Sequence, residues 1–319
     1  MYNDVFYAYI NKLAYIQKNN YISQMKPIFD STIHSILNER LDLLEKHFKS
    51  DVIFYFAPIA NGLVKPFRDI IENLKADETE NDSLSIILNT PGGSVEVVEQ
   101  LVNIVRHHYS EVNFIVPDAA YSAGTIFCMS GNNIFMDYSS SLGPIDPQVE
   151  VQAPNGGTQW IPALGYLDKV NELIEKSAKR TMTQAELIML QKQDLAMLRR
   201  YEQAKELTVA LLKKWLVKYK FATWTTHNTT PGLIGTPVTN EQKETRAQEI
   251  AHLLSENSEW HSHGRSINIE TLKSKLKLKI EDYSKDNTRM KLIRGYNDLV
   301  TEYIRKNNID AFMHSRNFI

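Results

Sequence analysis

Two short stretches constrain this chain more than any other feature. Residues 83–89 (SLSIILN) and 112–117 (VNFIVP) are apolar runs of strand length. Each ends in a turn of small residues and then opens into a helix-like pattern. The first turn is TPGGS at 90–94, the second AAYSAGT at 119–125. The apolar residues of the two runs are nearly continuous rather than alternating, as strands covered on both faces of a parallel sheet require. Strand, small-residue turn and helix in repetition predict an α/β fold with helices on both sides of a parallel sheet. A serine on such a turn shows its hydroxyl at the sheet edge, beside unpaired N–H groups of a helix start. Two such turns side by side supply a nucleophile from one and part of an oxyanion pocket from the other.

The rest of the chain arranges itself around this pair. Residues 1–50 read as an N-terminal helical extension, with Tyr7, Ile10, Leu13, Ala14 and Ile16, then Ile33, Ile36, Leu37, Leu41 and Leu44, recurring at three and four residues. The period changes at residue 51, where VIFYFA at 52–57 reads as a strand. A short helix at 66–74 and a charged connection at 75–82 lead into the first key strand. Ser94 stands at the N-cap of the next helix, whose apolar face carries Val95, Val98, Leu101, Val102 and Val105. A further short strand falls at 133–136. Residues 149–165, rich in Pro, Gly and Gln, form an excursion. A helix follows at 166–176, and Thr183 with Glu186 forms a capping box that opens a long arm helix to about residue 220. Beyond it the pattern predicts a turn-rich segment at 221–239, a helix at 241–256, a polar loop at 258–265, a helical piece at 269–276, a last strand at 276–280 and a terminal helix at 290–311. The division is an extension (1–50), an α/β domain (51–285, with its core at 51–175, the arm at 183–220 and the remainder at 221–285) and a C-terminal helical tail (286–319).

Composition removes several function classes. The chain has 319 residues, 43% hydrophobic and 23% charged, with a formal net charge of −2. These are values of an ordinary soluble globular protein, and the near-neutral charge argues against a nucleic-acid surface spread over the molecule. The lone cysteine, Cys128, excludes an intrachain disulfide framework and suits a reducing compartment. No run approaches the length of a membrane span, and the N-terminus lacks the plan of a secretory signal. The expectation is a cytoplasmic protein with no membrane span.

Taken together, LNTPGGSV, YSAGTIFCMSG and IFMDYSSSLGPIDPQ resemble the Clp/crotonase-fold serine peptidases, and more narrowly the serine dehydrogenase proteinase family, related to signal peptide peptidase A. The likeness is good over residues 50–175, looser over 180–285 and absent over 1–50 and the last stretch. It implies a ClpP/crotonase-like catalytic domain and a serine endopeptidase that hydrolyses peptide bonds without a cofactor. The family nucleophile falls on Ser122, and the oxyanion hole on the N–H groups of Gly93 (with Gly92 adjacent) and Ala123. A serine hydroxyl needs a base, and the tetrahedral oxyanion needs preorganised donors, each of which lowers the barrier by about 2.7–4 kcal/mol. No histidine lies between His108 and His227, so a Clp-type Ser-His-Asp triad is not written here. The signal peptide peptidase A branch uses a lysine downstream of the serine, and Lys169 is its positional match. A lysine base must be neutral, which burial or a neighbouring positive charge promotes.

Blander readings stand beside these. Lys169 also reads as a solvated helix lysine, and Ser122 as a small residue at a close contact. Asp146 orients Lys169 or recognises a substrate N–H, or caps its own turn at 144–147. His263, in WHSHGR, tunes or replaces the base, or belongs to a hydrogen-bonded loop. His261 and His263 have no further closely spaced ligands, so no metal site is expected. Cys128 reads as core. Two other functions remain open: a non-catalytic Clp-fold oligomeric scaffold, and a crotonase-like acyl-CoA enzyme in which the two donors polarise a thioester. The resemblance further implies a homo-oligomer clasped by the arm, a peptide or protein substrate, and room for an unfoldase or other protein partner.

Overall fold

The structure is a computed structural model that describes residues 28–76, 81–145, 148–152, 156, 158–228, 230–260, 262 and 264–318. At its centre are the two strand–turn–helix units, β2 (Ser83–Asn89) leading into α3 (Val95–His108) and β3 (Glu111–Ile115) leading into α4 (Ala123–Met129). β1 (Asp51–Phe56) precedes them and is joined to β2 through α2 (Val64–Ala76). β5 (Asn133–Met136), β9 (Glu281–Asp282) and β10 (Phe312–His314) complete a six-stranded sheet in the order β10-β1-β2-β3-β5-β9. Every neighbouring pair is parallel except β10 with β1. The exits of β2 and β3 therefore lie along one edge, where open α/β sheets bind their ligands.

The unalternated strands are explained by two cores. Along β1, Ile53 and Tyr55 face a core shared with Phe67, Ile70 and Ile71 of α2, Val98 and Leu101 of α3, and Phe127 of α4. Val52 and Phe54 face the other way, against Leu37, Leu41 and Leu44 of α1 (Ile28–Phe48) and Ile293, Tyr296 and Val300 of α11 (Asn287–Lys306). Every β1 position is apolar on one face or the other except Asp51 at its start. The segments at either end of the chain thus meet, where described, as the second layer over the sheet.

The arm is more broken than its stripe of leucines predicts. α5 (Ala163–Ala178), α6 (Gln184–Gln191) and α7 (Leu195–Trp215) are separate helices, followed by one wide π-type turn at 216–220. Thr183 and Glu186 form the expected capping box at the start of α6. The break comes at Asp194, whose carboxylate accepts the N–H groups of Ala196 and Met197 and so starts a new helix. α5 and α7 share a small apolar cluster of their own around Leu167 and Tyr201. The excursion before the arm is an antiparallel hairpin of β7 (Gln148–Gln152) and β8 (Thr158–Pro162). α8 (Asn240–Leu254), α9 (Asn257–Trp260) and α10 (Ile269–Ser274) follow the arm. The last parallel strand lies at 281–282 rather than 276–280, and the terminal helix ends at Lys306 to leave room for β10, too short to show in the sequence pattern. No described helix is long and apolar enough to cross a membrane.

Candidate active site

The two turns are sewn together by their own backbones. The Thr90 N–H donates to the Ala119 carbonyl at 3.0 Å, and the Tyr121 N–H donates to the Thr90 carbonyl at 3.0 Å. β4 (Ala119–Ala120) pairs on its other side with β6 (Ser141–Leu142), which brings in the loop after β5 as a third wall. On the first turn, Ile59 holds Gly92 and Ser94 from outside: the Ile59 N–H donates to Gly92 O at 2.8 Å, and the Ser94 N–H to Ile59 O at 2.9 Å.

Close approach explains the glycines. Gly92 has φ +106, and a β-carbon there would sit 2.8 Å from Tyr121 O and 2.9 Å from Ser122 Cβ. Gly93 has φ +149, and its β-carbon would sit 2.1 Å from Ile59 O. A side chain fits neither place. The sequence separates these glycines from Ser122 by a whole helix and strand, and the fold puts them in contact.

Ser122 and Ser94 occupy equivalent positions, each the N-cap of a helix after a parallel strand, yet their hydroxyls behave differently. The Ser94 Oγ accepts the Val97 N–H at 3.2 Å, as an N-cap serine ordinarily does. Ser122 has φ 50 and ψ −115 and makes no capping bond. A non-glycine residue there is strained by about 1–3 kcal/mol, a state that concentrates at functional turns. Ser122 is 6% exposed, and its hydroxyl has no hydrogen-bond partner among the described residues. It is not sealed from solvent, unlike the Thr208 and Ser315 hydroxyls, which are enclosed without a partner.

The backbone donors sort themselves. The Gly92 N–H is taken by Thr90 Oγ1 at 3.1 Å. Neither the Gly93 N–H nor the Ala123 N–H donates to a described residue; the latter is the first N–H of α4, which has no intrahelical acceptor. Thr125 Oγ1 lies 2.9 Å from the Ala120 and Gly143 carbonyls and accepts the Gly143 N–H at 2.9 Å, fixing the third wall to α4. Leu142 and Ile267 exchange backbone bonds of 3.0 and 2.8 Å, so the chain just beyond His263 runs along this wall. His263 itself and Asp146 lie outside the described residues.

Lys169 makes no hydrogen bond to Ser122 among the described residues; its amine is paired with Glu172 instead. It sits on the exposed face of α5, its Nζ 2.8 Å from Glu172 Oε2 and its side chain 58% accessible. Sequence reasoning missed a lysine whose amine is perturbed: burial pushes Lys220 down to about 8, with Lys279 adding a smaller push. Its Nζ donates to Asn132 O at 3.3 Å. Asn132 precedes β5, so Lys220 lies at the sheet edge opposite the strand exits that carry Ser122. Cys128 is fully buried and its thiol is pushed up by desolvation. Among the described residues no three His, Cys, Asp or Glu side chains gather at metal-binding range.

A family model for ClpP-like SDH-type serine proteinases matches residues 67–230, just over half of the chain and both turns with it. The chain belongs to that family. Two uncharacterized proteins of Methanocaldococcus jannaschii are each 31% identical to this chain, over 86 and 70 residues. These matches cover 27% and 22% of the chain and only 30% and 24% of the relatives' own lengths. Among solved structures, the chain is similar to a point variant of the 1510-N membrane-bound stomatin-specific protease, with a TM-score of 0.42 and 14% identity over 75% of this chain and 80% of that one. A second variant of the same protease, in complex with a substrate peptide, has a TM-score of 0.41 and 16% identity over 76% of this chain and 78% of that one.

Proposed function

We propose that the chain is a serine endopeptidase that cleaves peptide bonds through an acyl-enzyme on Ser122. The observation that carries this reading is the uncommitted Ser122 hydroxyl, held on a strained turn against Gly92. In the reaction the peptide carbonyl enters between that hydroxyl and the N–H groups of Gly93 and Ala123. The Ser122 oxygen attacks the carbonyl carbon as its proton passes to a base, and the two N–H groups take the charge that develops on the carbonyl oxygen. The base returns the proton to the leaving amine. Water then hydrolyses the ester by the same route.

Lys169 is the base in this reading, and it is the member that a single chain leaves exposed. The arm also leaves Ile174, Leu187, Ile188 and Met189 at the surface. A homo-oligomer that covers those side chains would bring the arm against a neighbouring body and desolvate the amine. The test is hydrolysis of an unstructured protein such as casein, with parallel labelling of active serine, by the wild type, Ser122→Ala and Lys169→Ala. Ser122→Ala is expected to lose about 10³-fold or more in kcat, and Lys169→Ala to follow it. Unchanged hydrolysis and labelling in Ser122→Ala would end the proposal.

The Lys169–Glu172 pair favours a second reading, a non-catalytic oligomeric scaffold. Intact oligomers with an unreactive Ser122 in the wild type would select it.

A further inference from the structure

The C-terminal helix α11 lies outside the residues matched by the family model, yet two of its side chains grip all three loops that wall Ser122. Asn297 is buried at the strand exits. Its Oδ1 accepts the Asn89 Nδ2–H at 2.9 Å, and its own Nδ2 donates to Asp118 Oδ2 at 3.0 Å. Asn89 is the last residue of β2 and leads directly into Thr90 and the glycine turn. Asp118 lies on the path from β3 to Ser122. One amide on a distant helix therefore bridges the two strand exits whose meeting creates the candidate site.

The same helix holds the third wall three residues earlier. Arg294 donates from Nε to Asp137 Oδ2 at 3.0 Å, and its Nη2 donates to the same oxygen. The other carboxylate oxygen of Asp137 accepts the Ser139 and Ser140 N–H groups at 2.8 and 3.1 Å. That closes the turn that feeds β6 and then Gly143, where a β-carbon would lie 3.3 Å from the Ser122 nitrogen. Asp137 has no side-chain exposure, so its charge is desolvated and needs this cation.

Asn297 is poorly explained as ordinary core. A polar amide among Ile293, Tyr296 and Val300 costs free energy unless it is hydrogen-bonded, and an apolar residue would fill the same volume without that demand. What an apolar residue would not do is tie the exit of β2 to the exit of β3. The backbone bonds between Thr90, Ala119 and Tyr121 set the pairing of the turns. The Asn89–Asn297–Asp118 bridge sets how far apart the strand ends stand behind them.

We infer that Asn297 is a positioning residue for the proposed peptidase: by bridging Asn89 and Asp118 it fixes the Gly93 N–H and the Ser122 hydroxyl in reacting register. This rests on the serine-peptidase reading, and its test separates the two. Asn297→Ala is compared with Val300→Ala, which removes packing from the same helix without touching either turn, in the full-length protein. One readout is the steady-state kinetics of peptide hydrolysis. The other is hydrogen–deuterium exchange at the amides of 90–93 and 119–123. Asn297→Ala is expected to lower kcat by about 10- to 100-fold with little change in KM, and to speed exchange at those two segments while the β1 and β2 amides stay protected. Val300→Ala is expected to lower thermal stability and leave kcat and the turn amides near wild type. Equal effects of the two variants on kcat and exchange, or turn amides in Asn297→Ala as protected as in the wild type, overturn the inference. Wild-type hydrolysis that survives Ser122→Ala would instead remove the peptidase reading, and the exchange data would still decide whether Asn297 clamps the turns.

Discussion

At the residue scale, the contrast between Ser94 and Ser122 is one of backbone angle. Ser94 is extended, with φ −78 and ψ 131, and its hydroxyl swings back onto its helix. Ser122, at φ 50, points its hydroxyl elsewhere. Gly92 is what permits that turn to come close. Gly92→Ala is expected to lose about 1–3 kcal/mol of stability and most serine reactivity, because the added methyl meets Tyr121 O and Ser122 Cβ. Denaturant midpoints alongside labelling of Ser122 check it, and a variant of wild-type stability and reactivity would contradict it. A second residue governs acid behaviour. His314 is buried between the Tyr296 hydroxyl at 2.7 Å and Asn38 Oδ1 at 2.8 Å, and burial, with a smaller contribution from His34, pushes it down to about 3. Between its ordinary value of 6.5 and about 3 the unfolded chain binds a proton that the folded chain refuses, so stability falls as pH drops through that window. His314→Gln is expected to lose about 2 kcal/mol less stability than the wild type between pH 7 and pH 5, measured by denaturant unfolding at both pH values.

At the scale of elements, the arm and the turns of the candidate site are built on opposite principles. α4 is buried at all seven positions, and it is held by tertiary bonds such as those of Thr125. α6 has no buried residue at all, although its sequence, QAELIMLQ, is rich in apolar side chains. An apolar-rich helix that buries none of its residues in its own chain fits contact with another body. If the proposed homo-oligomer forms through this surface, Ile188→Lys with Met189→Lys is expected to shift the protein to monomer in light scattering with its melting temperature essentially unchanged. An assembly of unchanged mass would exclude α6 from the contact. The capping boxes at Thr183 and Thr239 were open to sequence reading at the first and missed at the second. Both depend on a threonine and an acidic or amide residue three positions on, a purely local relation.

Across the whole molecule, the chain's last residues close the sheet that its first described residues begin to cover. β10 shields the free edge of β1, and Arg316 places one guanidinium on Glu45 at 2.8 Å and on Asp51 at 2.9 Å. The Asp51 side chain has no exposure and also accepts the Tyr109 hydroxyl at 2.6 Å. Removing residues 307–319 is expected to leave buried carboxylates without a cation and the β1 edge bare, at a cost of about 3–5 kcal/mol, with aggregation. Thermal unfolding and size-exclusion profiles of the truncated chain check this. A monodisperse protein with the wild-type midpoint would show the tail to be dispensable.

What the sequence by itself determined is local and periodic. Unalternated apolar runs meant a sheet covered on both faces, serine and threonine before helical patterns meant caps, and the paired small-residue turns singled out Gly92, Gly93 and Ser122. The tertiary structure alone decided which partners those groups meet. It took the Gly92 N–H for Thr90 and left that of Gly93 open. It kept Lys169 on a solvated face, buried Lys220 at the far edge, and set Asn297 behind the two turns. The placements of Lys220 and Asn297 depend on contacts between positions 88 to 208 residues apart, made by side chains whose local context looks the same whether they meet or not. Periodicity reports which face a residue shows; only the packed fold determines what that face touches.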